Sequence, residues 1–331
     1  MKSKKIIYLG IALISILLIS AIIKNMLIKE EKNNYKNDDI SAWIVDWCID
    51  DGIKEVNSLE SNLNNIQVFG AYFNDKDEVF VSEDILNKDF NIQKDLYLTV
   101  VNDIIYENKK PVQKDTELIS RILSDDEKRN NHINELIDLV NKYEFDGLEL
   151  DYEKIDSNLW DEYILFIDDL GQLLSKNDKK LRVVLEPSSP FDEFDMPSEY
   201  EYVVMAYNLY GYGTGPGPKA DKSFIKTLSK KSVSNLENVR IAFSLGGFDW
   251  NENEESPKAL TKPDIDKIIT DYDVNINRDE KSGANYFYYY DLDNVKHTVW
   301  YSDEETIKTW MDTSKEEGVN KFALWRLGNS F

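Results

Sequence analysis

From Ala42 onward, short apolar runs rich in β-branched and aromatic residues alternate with longer stretches of helical spacing. The runs are AWIVDW (42–47), IQVFGAYF (66–73), LYLTVVND (96–103), FDGLELDYE (145–153), LRVVLEP (181–187), EYVVMAYN (201–208), VRIAFSLGGF (239–248) and KFALWRLG (321–328). Between them, Ile133, Leu136, Ile137 and Val140 fall on one face of a helix predicted over about 118–143, and Tyr163, Phe166, Ile167, Leu170 and Leu174 line one face of the next. A further helix is predicted from Gly52. Strand-then-helix order implies parallel strands, and eight of them predict a closed (β/α)8 TIM barrel, an α/β fold. The piece between the seventh and eighth strands, about 264–302, carries many Tyr, Asp and Asn residues and ends in strand-like YFYYYDL and HTVWYS. It predicts a small α+β insertion on the catalytic side of the barrel.

One apolar run has no polar face. Ile6 to Ile23 is broken only by Gly10, Ser15 and Ser20, and follows Lys2, Lys4 and Lys5. As a helix it would span about 27 Å, close to one hydrocarbon core. No small-residue cleavage site follows, so the expectation is an uncleaved single-pass transmembrane helix within 1–28, with a cytoplasmic stub. Lys24, Lys29 and Lys32 after the run weaken the charge asymmetry without reversing it. The polar, aperiodic segment 29–39 reads as a linker, and 40–331 as one catalytic barrel outside the cell membrane, secreted if the first segment is removed.

Composition narrows the partners. The 331 residues, 42% of them hydrophobic, suffice for one barrel core of roughly 250 residues or more. With 62 Asp+Glu against 39 Lys+Arg, the net charge of −23 repels a phosphate backbone, so nucleic acid is excluded as a partner. The single cysteine, Cys48, forms no intramolecular disulfide, and His132 and His297 stand in no metal-ligand spacing. No metal or cofactor is expected, and a monomer is.

The chemistry concentrates in FDGLELDYE. Residues two apart in a strand face the same side, so Glu149, Asp151 and Glu153 share one face and Leu148, Leu150 and Tyr152 the other. In an exposed hairpin this would be a wetted acidic face. In a parallel strand, covered on both sides, the apolar face packs on helices and the carboxylates point into the barrel. Burying them costs several kcal/mol unless they share protons or hydrogen bonds, which packing alone does not explain. Carboxylates about 7 Å apart along one strand cannot all ionise comfortably, so some retain protons. Glu153 is nearest the mouth, where such barrels place their active sites, and a carboxyl protonated near neutral pH can protonate a leaving oxygen. Asp151, one step deeper, is placed to orient or stabilise a neighbouring charge.

DGLELDYE resembles the D-x-x-D-x-D-x-E signature of glycoside hydrolase family 18, the chitinase-like barrels, with Asp146, Asp151 and Glu153 matching and Glu149 where that family usually has Asp. VVMAYN resembles the sixth-strand M-x-Y-D motif through Met205 and Tyr207, with Asn208 in place of Asp, and ALWRLG the eighth-strand segment through Trp325. The GTGPGPKA loop and HTVWYSD are similar to the bacterial branch that includes spore-cortex-lytic N-acetylglucosaminidases. The resemblance covers about 40–331 and implies substrate-assisted, retaining hydrolysis, an exception to the two-carboxylate scheme. By that resemblance the substrate acetamido carbonyl is the nucleophile, Glu153 the general acid and base, Asp151 the partner of the acetamido N–H, and Tyr207 a donor to the acetamido oxygen. Glu149, Met205, Asn208 and Trp325 would bind substrate, Trp325 as the floor of the sugar site. The partner implied is an N-acetylated polysaccharide, peptidoglycan or chitin-like. Glu149 for Asp keeps the charge but adds a methylene beneath Asp151, and Asn208 for Asp removes a charge beside the sugar.

The seventh run offers an independent check. Barrel glycosidases with a protein nucleophile place a Glu at the end of that strand, whereas VRIAFSLGGFDWN has Asp249 as its only carboxylate. Asp146, on the opposite parity, reads as structural, and Glu186 before Pro187 reads equally as a loop start or a site residue. Trp43, Trp47, Tyr72, Tyr210, Tyr212, Trp250 and Trp300 could each stack on a sugar but are more often packing residues. Two rival readings exist. A non-catalytic lectin on the same scaffold would usually lack the final Glu, which is present, and a cation site on alternate strand positions lacks loop ligands.

Overall fold

Eight strands close into a ring, and two sheets account for all the strands in the described residues. The computed structural model describes residues 38–59 and 62–329. Its strands run β1 (Asp39–Val45), β2 (Asn65–Phe73), β3 (Val79–Val81), β4 (Asp95–Ile104), β5 (Gly147–Asp151), β6 (Lys180–Leu185), β7 (Glu201–Met205) and β8 (Val239–Ser244). A second group follows: β9 (Gly246–Asn251), β10 (Lys258–Leu260), β11 (Asn277–Arg278), β12 (Asn285–Tyr290) and β13 (Lys296–Ser302). The last is β14 (Lys321–Trp325). Barrel order is β1-β14-β8-β7-β6-β5-β4-β2, closed by parallel pairing of β1 with β2. Short β3 folds back antiparallel on β2 at the rim. The eight expected barrel strands are present, and their inward residues Trp43, Val45, Val101, Val184, Val203, Met205, Ala242 and Ala323 form one lining cluster.

Two expectations change. The stretch 118–143 is two helices, Thr116–Ile122 and Asp126–Lys142, because Asp125 breaks the first and caps the second by accepting from the Lys128 N–H at 2.9 Å. The run 239–248 is not one strand. Gly246 takes φ +68°, and a Cβ there would lie 2.4 Å from the Leu260 carbonyl oxygen. The chain therefore leaves the barrel at Ser244, and the inserted sheet, in order β10-β9-β13-β12-β11, begins at Gly246 rather than near 264. Asp249 consequently belongs to the insertion. It accepts the Tyr289 hydroxyl at 2.7 Å and faces His297 Nδ1 at 2.9 Å, so it is a buried packing carboxylate and not a barrel-end group.

The floor of the barrel is ionic. Arg182, Glu201, Arg240 and Lys321 lie in the first three residues of four adjacent strands, with Glu201 at 2.5 Å from Arg182 and 3.2 Å from both Arg240 and Lys321. Burial pushes the Glu201 carboxyl up, but Arg182, Arg240 and Lys321 together hold it down at about 2. The floor is thus sealed by a carboxylate that stays ionised, and the open chemistry lies at the other end.

The expected membrane helix, the stub and nearly all of the linker lie outside the described residues. Among the described residues no helix is long and apolar enough to cross a membrane.

Candidate active site

β5 carries the candidate groups because all five of its residues, GLELD, are buried between β4 and β6. At its start, exposed Asp146 accepts the Leu96 N–H at 2.8 Å and so fixes the register with β4. Gly147 permits the close approach, since a Cβ there would lie 2.6 Å from the Tyr97 ring. Glu149 is fully enclosed, accepting Trp43 Nε1–H at 2.6 Å and the Thr99 hydroxyl at 2.8 Å, with Arg182 at 3.8 Å. Burial raises its pKa, and Arg182, Thr99 and Trp43 counter the rise. Glu149 therefore supports Asp151 from below, deep in the barrel.

Asp151 is the next inward residue. Its pKa is raised well above the usual carboxylate range by burial first, then by the charges of Glu153 and Glu149. Its Oδ1 is buried and has no hydrogen-bond partner among the described residues. An acceptor so placed is costly to the apo fold and suited to a ligand N–H.

Glu153 lies just past the strand, at the mouth. Asn102 clamps its main chain, accepting the Glu153 N–H and donating to the Glu153 carbonyl, both at 3.0 Å. Lys114, on the loop after β4, forms an ion pair with its carboxylate, and Glu186, after β6, is in hydrogen-bonding contact with it. Glu186 is itself fixed by the Lys154 N–H at 2.6 Å. Burial raises the Glu153 pKa, Lys114 lowers it and Glu186 raises it again, leaving it at about 7. The group can therefore give and take a proton near neutrality.

These opposed neighbours carry a signed prediction. Besides Lys114 and Glu186, the charged or titratable groups around Glu153 are Asp151 and Glu149 below it, Asp103 on β4 and Tyr207 after β7. Removing the cation in Lys114→Met should raise the pH at which Glu153 loses its proton, and Glu186→Gln should lower it, each by about one unit. Carbon-13 NMR titration of the labelled side-chain carboxyl reads this directly. Shifts in the same direction would show that the neighbours act through structure rather than charge.

The remaining predicted residues ring the carboxylates. Tyr207 is buried, and its pKa is raised well above normal by burial and then by Asp151, Glu153 and Glu149, so the phenol stays neutral and able to donate. Met205 lies two residues below it in the barrel lining. Asn208 is exposed at the rim with φ +65°, a conformation Asn tolerates well. Trp325, half-buried, meets Trp43 edge-on at 5.7 Å and Phe69 at 5.2 Å between ring centroids. The structure thus brings Glu149, Asp151, Glu153 and Tyr207 into one electrostatic group and sets Met205 and Trp325 in the wall beside them. Among the other aromatics, Trp43 and Tyr72 join the lining, Trp47 is exposed on the 3-10 turn after β1 and Tyr212 on the loop after β7, and Trp300 stacks on Tyr286 in the insertion.

Lys114 and Asn102 were not anticipated. Asn102 left a trace, a polar residue late in the apolar run LYLTVVND, whereas nothing in the sequence ties Lys114 to a strand 39 residues away. A separate groove on the outer helices, bounded by Lys76, Arg121, Lys128 and Lys142, lies away from this group.

Comparison with known proteins agrees with the barrel fold. The sequence profile of the glycosyl hydrolases family 18 matches residues 113–330. The uncharacterized glycosylase YvbX of Bacillus subtilis (strain 168) is 26% identical over 242 residues, 69% of each chain. The cortical fragment-lytic enzyme of Bacillus cereus is 24% identical over 232 residues, 65% of this chain and 54% of that one. This chain therefore matches about half the length of that enzyme. Among solved structures, the Bacillus cereus spore cortex-lytic enzyme SleL superposes with a TM-score of 0.78 at 20% identity, covering 89% of this chain and 72% of SleL. A chitinase from Chromobacterium violaceum ATCC 12472 gives 0.73 at 16% identity, covering 89% and 95%.

Proposed function

The chain belongs to glycosyl hydrolase family 18, a family of glycosidases, and from that membership we propose that it cleaves β-linked, N-acetylglucosamine-containing glycan by a retaining, substrate-assisted mechanism. The observation that carries the reading is the pairing of a mouth carboxyl that titrates at about 7 with a buried aspartate whose Oδ1 lacks a partner among the described residues. In this reading Glu153 protonates the glycosidic oxygen as the C1–O bond breaks. The acetamido carbonyl oxygen of the same sugar bonds to C1 and forms an oxazolinium ion. Asp151 accepts the acetamido N–H and stabilises the positive charge, while the Tyr207 hydroxyl donates to the acetamido oxygen. Ionised Glu153 then takes a proton from water as that water opens the ring at C1. Retention follows from two displacements on the same carbon.

A further observation supports a nucleophile supplied by the substrate. β8, the seventh barrel strand, reads VRIAFS and has no carboxylate, and Asp249 is engaged in the insertion. Relatives named as cortex-lytic enzymes support a bacterial cortex-type glycan as the substrate, and a chitinase stands beside them among the structural neighbours. The apolar run 6–23 would hold the barrel at the outer face of a cell membrane. A thiazoline mimic of the oxazolinium ion should inhibit hydrolysis of purified peptidoglycan or chitooligosaccharide competitively. Hydrolysis that proceeds undisturbed by a saturating amount of the mimic would point to a protein nucleophile and defeat the proposal.

A further inference from the structure

A second charged group stands at the mouth, across from the carboxylates. Ser244 ends β8 on the same inward side as Ala242 of the lining, and it lies in register with Trp325 of β14. Lys219, in the loop after β7, donates from Nζ to Ser244 Oγ at 2.9 Å and to the Leu245 carbonyl at 2.6 Å, above the Phe248 ring at 5.0 Å. Its ammonium therefore sits at the rim beside Trp325. Both hydrogen-bond partners are neutral, and two bonds use two of its three N–H donors.

The charge environment is unusual for this chain. The sequence carries 62 acidic side chains, yet the charged group that acts on Lys219 is a second cation, Arg326. Burial, and then Arg326, push the lysine down to about 7. A half-buried ammonium set among neutral acceptors and next to another cation carries a desolvation cost that a nearby carboxylate would relieve. Tethering a loop to a strand end needs only a neutral donor.

Resting on the reading of the site given above, we propose that Lys219 is a specificity residue that binds an anionic substituent of the bound glycan, a carboxylate carried on a sugar ring next to the one held over Trp325. The chemical class that fits is an N-acetylhexosamine bearing a carboxylic-acid ether, as in the 3-O-lactyl group of N-acetylmuramic acid. A neutral chitin chain has no such group. A sugar carboxylate would engage the third donor of Lys219, offset the ammonium charge and distinguish a glycan with a free carboxylate from chitin at the mouth itself.

The test is a binding comparison at pH 6, below the titration of the lysine. The probes are the disaccharide N-acetylglucosaminyl-N-acetylmuramic acid and its lactyl methyl ester, which has nearly the same shape but no charge. Both are measured by calorimetry on the full chain carrying Glu153→Gln. The acid should bind about tenfold more tightly than the ester, the effect of one charge-assisted hydrogen bond. Lys219→Met should bring that ratio to about one, and Lys219→Arg should retain most of it. The proposal is overturned if the parent shows no preference for the acid, if the preference survives Lys219→Met, or if that variant weakens acid and ester equally, as a loop anchor would. Turnover of glycan by the unsubstituted chain is read separately, so a failure of the hydrolytic reading is distinguishable from a failure of this one.

Discussion

Glu153→Gln is expected to lower kcat/KM on an N-acetylated glycan by about 10²–10⁴-fold, the usual contribution of a positioned proton donor. The substitution keeps the side-chain volume and the Asn102 clamp on the main chain, so the site should fold unchanged. It removes the one carboxyl at the mouth that titrates at about 7. The alkaline limb of the pH–rate profile should disappear with it. The wild-type group is an acid only while protonated, and above about pH 7 the protonated fraction falls tenfold per pH unit. A substrate with an activated aryl leaving group needs less protonation and should lose less. Steady-state kinetics on both substrates, beside the thermal midpoint of the variant, check this. Unchanged kcat/KM on the unactivated glycan, with the variant folded, would remove Glu153 from the mechanism.

The three carboxylates on and just past β5 stand in different surroundings. Glu149 accepts from Trp43 and Thr99 through Oε1 and faces Arg182 with Oε2, so it is held deep within the barrel. Asp151 is buried with an open acceptor, and Glu153 is poised between a cation and a second carboxylate. In the proposed reading, this strand and the residue just past it present a support, an orienting group and a proton donor in order from floor to mouth.

How much of this could be read from the sequence depends on the range of the interaction. The period-two placement of Glu149, Asp151 and Glu153 is local, and the closed barrel gives it the expected inward direction. Trp325 and Tyr207 stood out through short motifs on single strands. The ionic floor did not, because Arg182, Glu201, Arg240 and Lys321 are isolated charges at strand starts, which look like wetted ends until four strands bring them together. Lys114 and Lys219 reach the mouth from loops, and loop paths are set by tertiary packing that residue spacing does not encode. The early start of the insertion was visible in principle. SLGGF carries adjacent glycines, and both occupy positions where a Cβ would collide with a carbonyl oxygen, at 2.4 Å in each case. A run of apolar residues across them read as one strand because hydrophobic pattern alone does not register a change of sheet.

The second large effect concerns the substrate. If the nucleophile is the acetamido oxygen, its removal takes away an intramolecular reactant, and such reactants are worth effective molarities of about 10⁵–10⁸ M. A de-N-acetylated glucosamine keeps the ring, the leaving group and access to Glu153, and its amine can still approach Asp151. It has no carbonyl oxygen to attack C1, no barrel-end carboxylate on β8 replaces it, and Tyr207 loses its acceptor. The loss in kcat/KM should therefore be at least about 10³-fold, a small part of that advantage. A protein nucleophile would be nearly indifferent to the change. The decisive measurement is kcat/KM of the wild-type chain on two glycans of equal length that differ only in N-acetylation of glucosamine. The account predicts cleavage of the acetylated glycan with retention at C1 and at least about a 10³-fold slower reaction of the other. Comparable rates on the two would contradict it.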